Sequence, residues 1–185
     1  MTSNTDAPAR ATTDSRTQIV EATQRLLSRR PPSAITGKQI AAESGVKYGL
    51  IYHYFESKEA LYLEAMRELT SAYIQSRDPA VDEAPELPPM RIEGHELWWR
   101  AAANFSADGG LSYSEVGWTY PVMNHELEAI RKAHPEVPEL EIKAHIMRQV
   151  CLNFGWVLFK DTVQAGFQLS DEETESIGHE ITGRP

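Results

Sequence analysis

Apolar positions recur at helical spacing through most of the chain. Ile19, Ala22, Thr23 and Leu26 follow an S-x-x-Q pair, Ser15 and Gln18, which predicts a first helix starting there. It should end near Ser28, because Pro31 and Pro32 cannot continue it. Thr36 and Gln39 form a second capping box, with Ile35 and Ile40 at the hydrophobic-staple positions around it. That helix should run to Ser44 and stop at Gly45, a residue suited to a left-handed helix end. A helix from Lys47 to Phe55 places Ile51 and Phe55 on one face, and Gly49, Tyr52 and His53 on the other. Ser57 then caps a longer helix carrying Leu61, Ala65, Leu69 and Tyr73.

Farther along, residues 77–93 hold four prolines among acids and read as a loop. Helical patterns follow at 94–107, at 113–133 with Pro121 breaking or starting a helix, and at 138–168. From Val150 to Phe159 the last of these is apolar nearly all round, so it should be covered on two sides. One cover is the domain's own core; the other calls for a second subunit, with Gly155 allowing close helix approach. Ser170 and Glu173 cap a final segment whose large apolar residues are Ile177 and Ile181. The pattern predicts an all-α chain. Residues 1–12 are expected to be a disordered tail, 13–56 a small three-helix head, and 57–185 a helical body.

The formal net charge of −9 argues against nucleic acid if taken whole, but it is unevenly placed. Residues 1–60 hold eight basic and six acidic side chains, a formal +2, against −11 for the remainder. A mildly basic head on an acidic body suggests two jobs. One cysteine, Cys151, precludes an internal disulfide and suits the cytosol. No run of 18 apolar residues spans a membrane, and the polar start lacks an apolar signal-peptide core.

The two short helices joined at Gly45 make a helix-turn-helix, whose second helix enters the major groove of DNA. Residues 15–74 resemble the head of the tetracycline-repressor (TetR) family of bacterial transcriptional regulators. The resemblance lies in Ile35-Thr36, Ile40-Ala41, Glu43-Ser44-Gly45-Val46, Tyr52-His53-Tyr54-Phe55 and Ser57-Lys58-Glu59-Ala60-Leu61. It implies a sequence-specific regulator, by default a repressor, that leaves a double-stranded operator when a small effector binds. It also implies phosphate contacts at Thr36 and Lys58, backbone contacts at Tyr52 and Tyr54, and base contacts at Tyr48 and Gly49. Lys38 and His53 complete the expected DNA-facing set. Lys47 departs from the family's usual Ser, Thr or Asn cap and adds a cation, and Leu50 replaces a common Thr. The resemblance further implies a homodimer, expected through 138–168 and 170–182, with the longer segment supplying most of the contact.

For the effector the expectation is an apolar or aromatic molecule held by Trp98, Trp99, Phe105, Trp118, Tyr120, Met123, Asn124 and Trp156. Residue by residue, core packing is the better explanation of these aromatics; as a group, the excess of tryptophan favours a cavity. No phosphate loop or serine elbow suggests an enzyme, and no cofactor is expected. His125, Glu126, His134 and His145 match no standard metal-ligand spacing. The competing reading is a helical small-molecule- or partner-binding protein whose head no longer binds DNA.

Overall fold

A computed structural model describes residues 7–76, 87–108 and 117–182 of the 185-residue chain. The described residues contain eight α-helices and no strand. Four helices build or adjoin the head: α1 (Ala7–Leu27), α2 (Gly37–Ser44), α3 (Tyr48–Tyr54) and α4 (Lys58–Gln75). The body adds α5 (Glu96–Ala107), α6 (Pro121–Ala133), α7 (Glu139–Phe167) and α8 (Asp171–Thr182).

The helix ends follow local chemistry. Thr36 Oγ1 accepts from Gln39 N at 3.3 Å while Gln39 Oε1 accepts from Thr36 N at 2.8 Å, closing the expected box. Gly45 ends α2 at φ 71°, in the left-handed region where a glycine costs least. Ser57 Oγ caps α4 by accepting from Ala60 N, and Ser170 with Glu173 makes the predicted reciprocal cap of α8. Lys47 is the N-cap of α3 but offers no side-chain capping bond.

One expectation needs correcting. Helix α1 begins at Ala7 rather than at the Ser15 cap, so residues 7–12 are helical, while 1–6 lie outside the described residues. Ala7, Ala9 and Ala11 are strong helix formers, and Pro8 falls in the first turn, where its missing N–H costs nothing. Within the expected 113–133 pattern the described helix starts at Pro121, one of the two readings of that proline. Residues 113–116 lie outside the described residues, and the positive φ of Gly117 and Tyr120 keeps the approach non-helical.

The core is continuous from head to body. Ile19, Leu27, Ile35, Ile40, Ile51 and Leu61 are buried around α1 to α4, and Trp99, Phe105, Ile130, Ile142 and Val157 in the body. The described part of the proline-rich loop is not a surface strand of chain. Met90 and Ile92 are buried, and three side chains hold its carbonyls. Asn153 Nδ2 donates to Met90 O at 2.8 Å, Trp99 Nε1 donates to Arg91 O, and His145 Nε2 lies 2.9 Å from Pro88 O. A buried carbonyl left unpaired is costly, so these polar residues on α5 and α7 are what let this irregular segment enter the core.

Candidate nucleic-acid interface and ligand cavity

Helix α3 is seven residues long and buries Ile51, which leaves its opposite face to solvent. Tyr48 and Tyr52, one turn apart, are 46% and 49% exposed, and Lys47, Gly49 and His53 are exposed beside them. The two tyrosine rings meet edge to face at 5.4 Å, and Tyr48 Oη donates to Tyr52 Oη at 3.2 Å. The two hydroxyls can exchange donor and acceptor roles, and with Tyr52 as donor the bond, more than the slight burial, holds the proton on Tyr52 and pushes its phenol up. Both rings lie over the start of α2, where a Cβ on Gly37 would come within 2.8 Å of the Tyr48 ring. Gly37 therefore lets α3 close onto the N-terminus of α2, a role that sequence reasoning missed. The same construction at Gly49 would meet nothing within 4 Å.

The expected contact residues differ in how free they are. Lys38 and Lys47 are exposed and make no ion pair among the described residues. Thr36 is exposed, but its hydroxyl is bound within the capping box, so the α2 N-terminus offers backbone N–H groups first. Lys58 is partly buried, donates to Ile35 O at 3.2 Å and lies 5.9 Å from the Tyr62 ring centre. One of its three N–H donors is thus committed to the chain. Tyr54 is half-buried against the core, with its ring edge-on to His53 at 5.1 Å. Three head arginines are tied internally: Arg16 to Glu64, and Arg25 and Arg29 to Glu43.

In the body, Trp98, Trp99, Trp118, Tyr120 and Met123 line one apolar cavity of about 120 Å³. Met66, Met90, Val150 and Phe154 also line it, and sequence reasoning had selected none of them. Of these, only Phe154 carries the aromatic signal that could have found it. Trp98 and Trp99 meet at 4.6 Å, and Trp98 also stacks on Tyr73 and donates to Thr70 Oγ1 at 2.9 Å.

Three expected ligand residues lie elsewhere. Phe105 is buried in the core, and Asn124 turns back to donate to Thr119 O at 2.7 Å. Trp156 faces α8, where a Cβ on Gly178 would sit 2.6 Å from its ring. Two positions from Phe154 is about 200° around a helix, which puts Trp156 on the far side of α7. There it lines a polar cleft of about 330 Å³ and an apolar groove of about 430 Å³ between α7 and α8. His145 bonds the loop, His134 faces Glu136 at 3.6 Å, and no three potential metal ligands gather among the described residues.

Comparison with known proteins points the same way. Residues 19–65 match the family model for bacterial regulatory proteins of the tetR family. The HTH-type transcriptional regulator BetI of Brucella anthropi is 31% identical over 118 residues, covering 63% of this chain and 58% of that protein. The BetI regulator of Vibrio atlanticus is 26% identical over 136 residues, covering 70% and 63%. The match therefore spans less than two thirds of the length of either relative. A crystal structure of a tetR-family transcriptional regulator from Streptomyces coelicolor shares the fold at 18% identity. It covers 92% of this chain and 89% of that one, with a TM-score of 0.56. The head is thus similar in sequence to bacterial regulatory proteins of the tetR family, and the all-helical frame has the fold of one of their structures.

Proposed function

We propose that the protein is a cytoplasmic transcriptional regulator, acting as a repressor, that binds a two-fold DNA operator as a homodimer and leaves it when a small apolar or aromatic effector enters the body. The observation carrying this reading is the exposed face of α3. Lys47, Tyr48, Gly49 and Tyr52 stand together there, and the chain's own packing asks for no glycine at position 49. A helix that shows a cation, two phenols and an open glycine is suited to backbone approach and base contact in a major groove.

Dimerisation is supported by the outer face of α7 and α8. Phe159 and Phe167 are 59% and 75% exposed, and Leu152, Val163 and Ile177 line the same apolar groove. Large exposed apolar patches on soluble proteins mark interaction sites. A two-fold pair would place two recognition helices about 34–36 Å apart, one turn of DNA. The cavity limits the effector, since an apolar cavity of about 150 Å³ holds one benzene ring. A space of about 120 Å³ accepts a single ring or a branched alkyl group, and anything larger needs α5 and the 118–123 segment to part.

The test is fluorescence anisotropy of the whole protein on duplexes selected from its own genome, against a scrambled duplex, at two salt concentrations. Tighter, salt-sensitive binding to selected duplexes is expected. Equal weak binding to every duplex would refute DNA recognition and favour a sensor that acts on another partner.

A further inference from the structure

The body grips the head at a place that neither DNA contact nor ligand enclosure requires. Near the end of α5, Asn104 Nδ2 donates to Leu27 O at 2.9 Å, the last residue of α1. At the α5 C-cap, Asp108 Oδ2 accepts from Ser33 N at 2.6 Å. Ser33 lies in the single-turn helix Pro32–Ala34, three residues before the capping residue Thr36. The other side of this turn is held by α4, where Tyr62 Oη contacts both Pro32 O and Ile35 O and Lys58 donates to Ile35 O. The entry to α2 is thus clamped between α4 and α5.

A carboxylate at Asp108 sits at the negative end of the α5 dipole, where it disfavours the helix that bears it. Its bond to Ser33 offsets this locally and joins segments 75 residues apart. The same helix carries Trp98, Trp99, Ala102 and Ser106 into the cavity, so one rigid element has the cavity at its middle and the head at its end.

We infer that Asn104 and Asp108 are positioning residues that set the angle of the head on the body, and through it the spacing of half-sites that the dimer accepts. The inference rests on the DNA-binding reading above but has a readout without DNA. The ties act at 27 and 33, both ahead of the entry to α2. Losing them leaves the head attached by α4 and by the apolar contacts of α1 alone. A head freed to pivot tolerates operators lengthened or shortened by one base pair; a head held at one angle does not.

Two measurements on the full chain test it. The first compares the selected operator with versions carrying one base pair more or less between half-sites. The wild type should discriminate by about tenfold or more, and the Asn104→Ala/Asp108→Ala variant by no more than about threefold, with base discrimination inside each half-site kept. Asp108→Asn, whose amide oxygen can still accept from Ser33, should restore much of the preference in the presence of Asn104.

The second places spin labels at Ala42→Cys in α2 and Lys132→Cys in α6, both exposed positions, in a Cys151→Ser background, and measures their distance distribution. The distribution should be narrow with the ties and broad without them. Unchanged spacing preference, or an equally narrow distribution in the double-alanine chain, would overturn the inference. If no duplex is bound specifically by the wild type, the functional reading fails, and the label distances alone decide whether the ties position the head.

Discussion

Gly49 is the residue whose identity the fold leaves unexplained. It lies in the first turn of α3 with open space where a side chain would be, and alanine in a helix is favoured over glycine by about 1 kcal/mol. Gly49→Ala should therefore stabilise the protein by up to about 1 kcal/mol in denaturant unfolding while weakening operator binding. A variant that gained stability and kept full affinity would remove Gly49 from the DNA-facing set. Lys47 permits a sharper division. If it reads a base, Lys47→Ala should cost about 1–3 kcal/mol at one operator position; if it meets only phosphate, all sequences should weaken alike.

Glu68 shows the residue scale acting on stability. Burial first, then the nearby Glu64, raises its carboxyl above the usual range, against the partial relief of Arg16 and the Gln24 amide at 3.2 Å. A folded pKa above the unfolded one means the ionised group opposes folding above that folded pKa, and the penalty fades as pH falls through it. Glu68→Gln should raise thermal stability at neutral pH and lose its advantage below the ordinary carboxylate range. An advantage that persisted at low pH would place the effect in packing instead.

At the scale of elements, α7 does most of the sorting. Its 29 residues have apolar side chains on almost every side, which is why no single amphipathic stripe marks it. One face, through Val150 and Phe154, walls the cavity; a second, through Phe159 and Phe167, is open to solvent. Between them His145 and Asn153 hold the carbonyls of the 87–93 segment inside the protein. Asn153→Leu keeps the volume but strips Met90 O of its donor. It should cost about 1–3 kcal/mol in chemical denaturation, the desolvation penalty of one buried unpaired group. A neutral outcome would mean that water reaches the loop.

The whole molecule depends on what covers the α7–α8 groove. Phe159→Asp together with Phe167→Asp places two charges on the exposed apolar face without touching the head core or the cavity. Sedimentation should then show a monomer, with the melting of the head little changed. Operator affinity should fall steeply and its salt dependence should roughly halve, because half as many phosphates are engaged. A dimer that survived both charges would move the interface elsewhere on the body.

The head was legible in the sequence because its signals are local. A capping box at Thr36–Gln39, a glycine at the helix end, and Ile51 and Phe55 one turn apart each act within a few residues, and each appears as expected. Ser57 and Ser170 marked two later helix starts for the same reason. The Thr36 and Lys58 side chains partly turn inward because their partners, Gln39 and Ile35 O, compete with solvent at short range. What the pattern could not decide was which apolar surfaces meet. Trp156 and Phe154 look alike along the chain, yet a helical offset of two sends one to α8 and the other to the cavity. Met90 fell in a stretch that reads only as a loop, and its burial depends on Asn153, 63 residues away, which pairs its carbonyl. The hold of Asp108 on Ser33 is equally invisible in the chain order. Caps and turns are set by neighbours in sequence; cavities and the ties between head and body are set by neighbours in space.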